Sequence, residues 1–174
     1  MLPERVIRNG QVEPERWRFL GLDGTGDLAT IPEGPVVVPM STWLARRDTL
    51  RARATPVGTW LAPADDPAQL ADDVAALSLI AVQFPKFTDG RGYSIAVLLR
   101  ARLGYRGELR AFGDVGRDQL FALARVGFDA FSLPPHRDPE AALGSFAPFS
   151  VRYQASVDDA LPLFRKRLAR GPAP

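Results

Sequence analysis

Residues 79–134 read LIAVQFPKFTDGRGYSIAVLLRARLGYRGELRAFGDVGRDQLFALARVGFDAFSLP, and the fold is decided there. Residues 79–84 form a nearly unbroken apolar run, which suits a strand buried on both faces of a parallel sheet. Pro85 ends it, because proline cannot donate to a sheet ladder. A polar, glycine-bearing loop leads to Ile95, Leu98, Leu99 and Leu103, spaced i, i+3, i+4 and i+8 as on one face of a helix. Gly104 stands where a left-handed cap is needed, and Tyr105 is placed to fold back on the last turn. The unit then repeats. A strand at 108–112, the loop Gly113-Asp114-Val115-Gly116, a helix at 117–126, the stop Gly127-Phe128 and a strand at 130–133 follow in order. Successive strand–loop–helix units require right-handed crossovers between parallel strands. Their loops then leave the carboxyl ends of adjacent strands, where open α/β sheets and barrels bind ligands.

Working outward, Val36-Val37-Val38 and residues 58–61 read as two earlier strands, closed by Pro39 and Pro63. Helices are expected at 43–53, capped by Ser41 or Thr42, and from Asp65 or Asp66 through Leu77, with Pro67 in the first turn. The fold class expected is therefore α/β, a mainly parallel sheet of five or six strands with helical crossovers. A complete eight-unit barrel usually needs more than ~200 residues, so an open or half-barrel-like sheet is expected. Residues 5–8, Asn9-Gly10 and 11–13 carry a strong hairpin signal, and residues 17–20 could extend it as an antiparallel element. The chain is read as one domain over 1–174. It comprises an accessory hairpin region (1–34), a βα-repeat core (35–134) and a C-terminal extension (135–174). That extension is expected to hold a short helix at 140–146, an edge strand at 149–154 and a last helix at 158–169.

Composition narrows the function. The 174 residues are 46% apolar and 24% charged, as in soluble globular proteins. Cysteine is absent, which excludes disulfides, thiolate nucleophiles and cysteine-held metal clusters. No apolar run approaches the ~20 residues of a membrane span, and the first residues lack the apolar core of a secretion signal. A cytoplasmic protein is expected. Net charge is only +2, the pI of 9.4 reflects arginine, and no basic stripe interleaves with aromatics, so nucleic acid is not an expected partner.

Five loops should share the carboxyl rim: 39–42, 62–66, 85–94, 113–118 and 134–139. Two of them hold glycines beside a helix start. Backbone amides there, assisted by Lys86, Arg91 and Arg117, would suit an oxyanion or phosphate. The candidate ligand-binding residues are Lys86, Thr88, Asp89, Arg91, Gly92, Tyr93, Ser94, Asp114, Arg117, Asp118 and Gln119. Asp89 and Asp114 could equally cap helices while the arginines pair with them. Lys86, one of only two lysines, could act as a base or Schiff-base amine if partly desolvated, with Asp114 as its electrostatic partner. A lysine paired with Asp89 or Asp114 is the plainer state. His136 is the sole histidine, so a histidine metal site is not expected, and nothing in the aspartate spacing requires Mg²⁺. The dinucleotide fingerprint is incomplete: Ile95 stands where its third glycine belongs, and residues 85–89 lengthen the turn. No cofactor is expected.

The strings FPKFTDGRGY (84–93), RGELRAFGDVGRDQLF and GFDAFSLP resemble an uncharacterised bacterial family encoded beside assimilatory sulfite reductase and sometimes labelled oxidoreductase. The likeness extends to the N-terminal RNG hairpin, the WLAP strand end and FSVRYQ. It implies a role in sulfate assimilation, with no catalytic residues to carry over. The resulting expectation is an accessory protein of sulfite reduction, binding a small oxyanion or the reductase at the 86–94/113–119 rim. Two alternatives stay open. One is a small α/β enzyme acting on a phosphorylated or carboxylated metabolite through Lys86; the other is an interaction scaffold.

Overall fold

The computed structural model describes residues 3–22, 30–146 and Ser156. Eight strands occur among them: β1 (Arg5–Arg8), β2 (Gln11–Pro14), β3 (Arg18–Phe19), β4 (Val36–Pro39), β5 (Val57–Leu61), β6 (Leu79–Phe84), β7 (Glu108–Gly113) and β8 (Ala130–Ser132). They form one sheet in the order β2-β1-β8-β7-β6-β5-β4-β3. From β3 to β8 every neighbouring pair is parallel, and only β1 runs antiparallel, to both β2 and β8. The fold is α/β with a curled, mostly parallel sheet. The strand number exceeds the expected five or six because β1, β2 and β3 join the same sheet.

Local chemistry accounts for the elements. Asn9 and Gly10 take φ of +50° and +77°, the pair of left-handed residues that a two-residue hairpin turn demands. Gly104 and Gly127 stop their helices at φ of +66° and +110°, and the aromatics after them, Tyr105 and Phe128, are buried. The first helical stretch begins at Met40, just after Pro39, so Ser41 and Thr42 lie inside helix α1 (Met40–Ala45) rather than capping it. Arg46, at φ −129°, separates α1 from α2 (Arg47–Arg51). Asp66 caps the next turn through Ala68 N–H as expected. The expected helix up to residue 77 is instead a 3₁₀ turn, Pro67–Leu70, followed by further turns held mainly by i→i−3 bonds. This tighter path turns Asp73 inward, where its fully buried carboxylate meets Arg47 Nε at 2.9 Å and Arg51 Nη2 at 2.6 Å. Helix α3 (Arg91–Val97) widens into a π turn over Leu98–Arg102. Helix α4 (Leu120–Arg125) follows a 3₁₀ turn at Arg117–Gln119. Helix α5 (Pro139–Ala142) runs into a 3₁₀ turn, Leu143–Phe146. The strand expected at 149–154 and the helix expected at 158–169 lie outside the described residues.

Because consecutive parallel strands are neighbours, right-handed crossovers put the helices on one face. Val36, Val38, Ile80, Val82, Leu109 and Ala111 pack there against Trp43, Leu70, Leu99, Leu120 and Leu123. The opposite face carries Val37, Leu79, Ala81 and Phe112, covered by Trp17, Phe19, Leu22 and Trp60. Strand β3 does not extend the hairpin, as residues 17–20 were expected to; it pairs parallel with β4 at the far edge. Only residues 15–17 link β2 to β3, a reach of about 14 Å, whereas a flat eight-stranded sheet would hold its edges ~34 Å apart. The sheet is therefore strongly curled, with residues 15–17 crossing its concave face.

On that face Arg110 is fully buried. Its guanidinium meets Glu108 at 2.6 Å, pairs with Glu15 and lies 5.7 Å from the centre of the Phe19 ring. Arg8 adds bonds to Glu108 (2.8 Å) and Glu13. The linker is thus tied to the central strand β7 by charge as well as by apolar contact.

Candidate functional site

Strands β6 and β7 are parallel and paired along their length, from Leu79↔Glu108 to Phe84↔Gly113. Loops 85–90 and 114–116 therefore leave the same rim side by side, and all the candidate residues from Lys86 to Gln119 gather around them. The junction is tight. Gly113 has φ of +102°, and a Cβ there would lie 2.3 Å from Phe84 O. Asp114 N–H donates to that same oxygen at 2.7 Å.

Two bonds then lock loop to loop, and a third braces the second loop from within. Phe87 N–H donates to Asp114 Oδ2 at 2.9 Å. Gln119 Nε2 donates to Phe87 O at 3.0 Å, and its Oε1 accepts from Gly116 N–H at 2.9 Å. Asp89 caps the start of α3: Oδ1 accepts from Arg91 N–H and Nε, and Oδ2 from Nη2 at 2.7 Å. That bonding by Arg91 holds the Asp89 carboxyl below its ordinary range. Gly92 is buried beneath the Phe84 ring, where a Cβ would approach Phe84 Cζ to 2.4 Å. Tyr93 stacks edge-on to Phe84 at 5.9 Å. Burial first, and the charge of Asp118 second, raise its hydroxyl pKa.

Lys86, Thr88, Arg91, Ser94, Asp114, Arg117 and Asp118 are exposed. Lys86 is not desolvated, and its plainer expected partners are engaged elsewhere: Asp89 with Arg91, Asp114 with the Phe87 amide. Among the described residues neither Lys86 nor Arg117 forms an ion pair. Between them stands a residue that reasoning from polar side chains passed over. Phe87 is 44% exposed, yet its backbone is bonded on both sides and its ring rests on Gly116, within 3.0 Å of where a Cβ would lie. The signal was present, since an aromatic in a polar loop between lysine and threonine has no core to enter.

The fold and this rim define an α/β protein built on a curled, mostly parallel sheet. Its candidate surface lies at the carboxyl ends of two central strands. A family model described as bacterial protein of unknown function, DUF934, matches residues 58–164, both loops included, and the chain belongs to that family. No curated protein and no solved structure matches the chain. Among the described residues no helix is long and apolar enough to cross a membrane.

Proposed function

We propose that this chain is an accessory protein of assimilatory sulfite or sulfate reduction that docks on sulfite reductase through the 86–94/113–119 rim. The observation that carries the docking is the braced loop pair presenting Phe87 between Lys86 and Arg117. An aromatic fixed by its own backbone loses little freedom on binding, and flanking cations add attraction for an acidic surface. The reductase as partner rests on the resemblance of the FPKFTDGRGY and RGELRAFGDVGRDQLF strings to a family encoded beside that enzyme.

Docking has stronger support than capture of a small oxyanion. The amides of Phe87, Arg91 and Gly116, which would greet an anion, already donate to Asp114, Asp89 and Gln119. The test is retention of purified reductase by the immobilised chain, with affinity measured in solution. Phe87→Ser should weaken binding about thirtyfold, the usual loss when an aromatic anchor worth ~2 kcal/mol is removed. Lys86→Glu should weaken it further as salt is lowered, because the charge flip turns attraction into repulsion. A reductase that is not retained, or retained equally by Phe87→Ser, overturns the reading. The enzyme alternative has a separate signature: Lys86→Ala would abolish turnover of a phosphorylated or carboxylated metabolite at unchanged melting temperature.

A further inference from the structure

A second place on the same rim invites a ligand of different chemistry. Strand β1 runs antiparallel to β8, so its first residues lie beside the carboxyl end of β8. Between them is a cleft of about 580 Å³, lined by Pro3, Glu4 and Arg5 on one side and by Leu133, Pro135 and residues 136–139 on the other. That volume falls within the ~300–1,000 Å³ range of small-molecule sites. The prolines and Leu133 supply an apolar body, and rigid prolines keep the walls apart without side-chain ordering cost.

The polar groups decide which ligand fits. Both Asp138 oxygens are occupied by Glu140 and Ala141 N–H. Arg5 is paired with Glu140. Arg137 is different: its Nε is buried with no acceptor, and no ion pair to its guanidinium exists among the described residues. That Nε is shut away from the cleft, so it is the guanidinium's unpaired positive charge at the wall that calls for an acceptor. We propose that it binds a small carboxylate carrying an apolar group, with the carboxylate on Arg137 and the apolar part against Leu133 and the prolines. Glu4, also on the wall, opposes a second negative charge and so favours monocarboxylates over dicarboxylates.

His136 lines the cleft and is the only histidine in the chain, so its ring Cε1–H resonance is a single-site reporter. Titrating the full chain with benzoate should move that resonance saturably. Arg137→Gln should weaken the response about tenfold or more, as expected for loss of a charge-assisted fork. Glu4→Gln, at an exposed position, should bind benzoate at least as tightly as the wild type. Lys86→Ala should bind unchanged, which separates this cleft from the Phe87 rim. The proposal is overturned if benzoate produces no saturable shift, if Arg137→Gln responds as the wild type does, or if Glu4→Gln loses binding. It is also overturned if cyclohexylamine, a cation of similar size, binds in place of benzoate.

Discussion

Arg110→Leu is expected to cost about 3–5 kcal/mol, the range seen when one partner of a buried ion pair is removed. For a chain of this size that is a fall in melting temperature of roughly 10 °C. The leucine would fit the apolar surroundings of Phe19 and Phe112, which lie 5.3 Å apart. The loss comes instead from Glu15 and Glu108, left on the concave face without the cation they share. Arg8 still holds Glu108, so Glu15 should be the carboxylate that suffers. Accordingly Arg110→Leu combined with Glu15→Gln should recover 1 kcal/mol or more, about the scale of coupling between contacting residues. Thermal and urea unfolding of the four proteins in this cycle measure it. If Arg110→Leu melts within a degree or two of the wild type, the charge cluster does not hold the linker on the concave face.

Gly113→Ala should be nearly as damaging. Its φ of +102° is strained for any L side chain, and the added Cβ would lie 2.3 Å from a backbone oxygen that cannot rotate away. Relief requires β6 and β7 to part at their carboxyl ends, breaking the Asp114 N–H bond to Phe84 O. We expect a loss of at least about 3 kcal/mol, among the larger effects of single substitutions, because strain and a broken bond add. Hydrogen exchange should also quicken at the Asp114 and Phe87 amides, where the loops are braced. Gly90→Ala is the control, since nothing lies within 4 Å of its Cβ position and its φ is negative. It should change stability by no more than about 0.5 kcal/mol. Equal melting temperatures for the two variants would remove Gly113 from the account of the rim.

The middle of the fold was legible because its signals are local. Five of the six parallel strands match the expected runs to within a residue or two, as apolar clusters bounded by proline and glycine should. Gly104-Tyr105 and Gly127-Phe128 ended their helices where expected, since a left-handed cap is a property of the glycine itself. Non-local choices were harder. Nothing within residues 17–20 says that they will pair with β4 rather than with the hairpin, because that depends on how far the sheet curls. The stretch 71–77 has helical composition, yet Arg47 and Arg51, more than twenty positions away, pull Asp73 inward. Arg110 sits in the alternating register of β7, where a charged residue reads as solvent-facing; only the passage of Glu15 over that face makes it internal.

The rim shows the same division. Adjacency of the two loops followed from parallel order alone. Which donors they satisfy did not, since Asp114 and Gln119 could have faced a ligand and instead bind Phe87. The cleft beside β8 escaped notice for a topological reason: half its wall comes from the first residues of the chain, delivered there by an antiparallel strand.

That strand has a consequence for how the protein is made. The β1–β2 hairpin leaves the ribosome well before its sheet partner β8, with Ile7 opposite Phe131 in the finished sheet. Until translation has passed that point, residues 5–8 have only each other and β2 to hold, and a lone two-stranded hairpin is marginal in water. A nascent chain halted after β7 would leave the last central strand with a bare edge, the kind of template that recruits other chains. Final closure joins the two ends of a long loop, a non-local pairing whose entropy cost falls before its contacts are gained. Deleting residues 1–14 should show up as aggregation during expression, read as the fraction of chain recovered in the pellet.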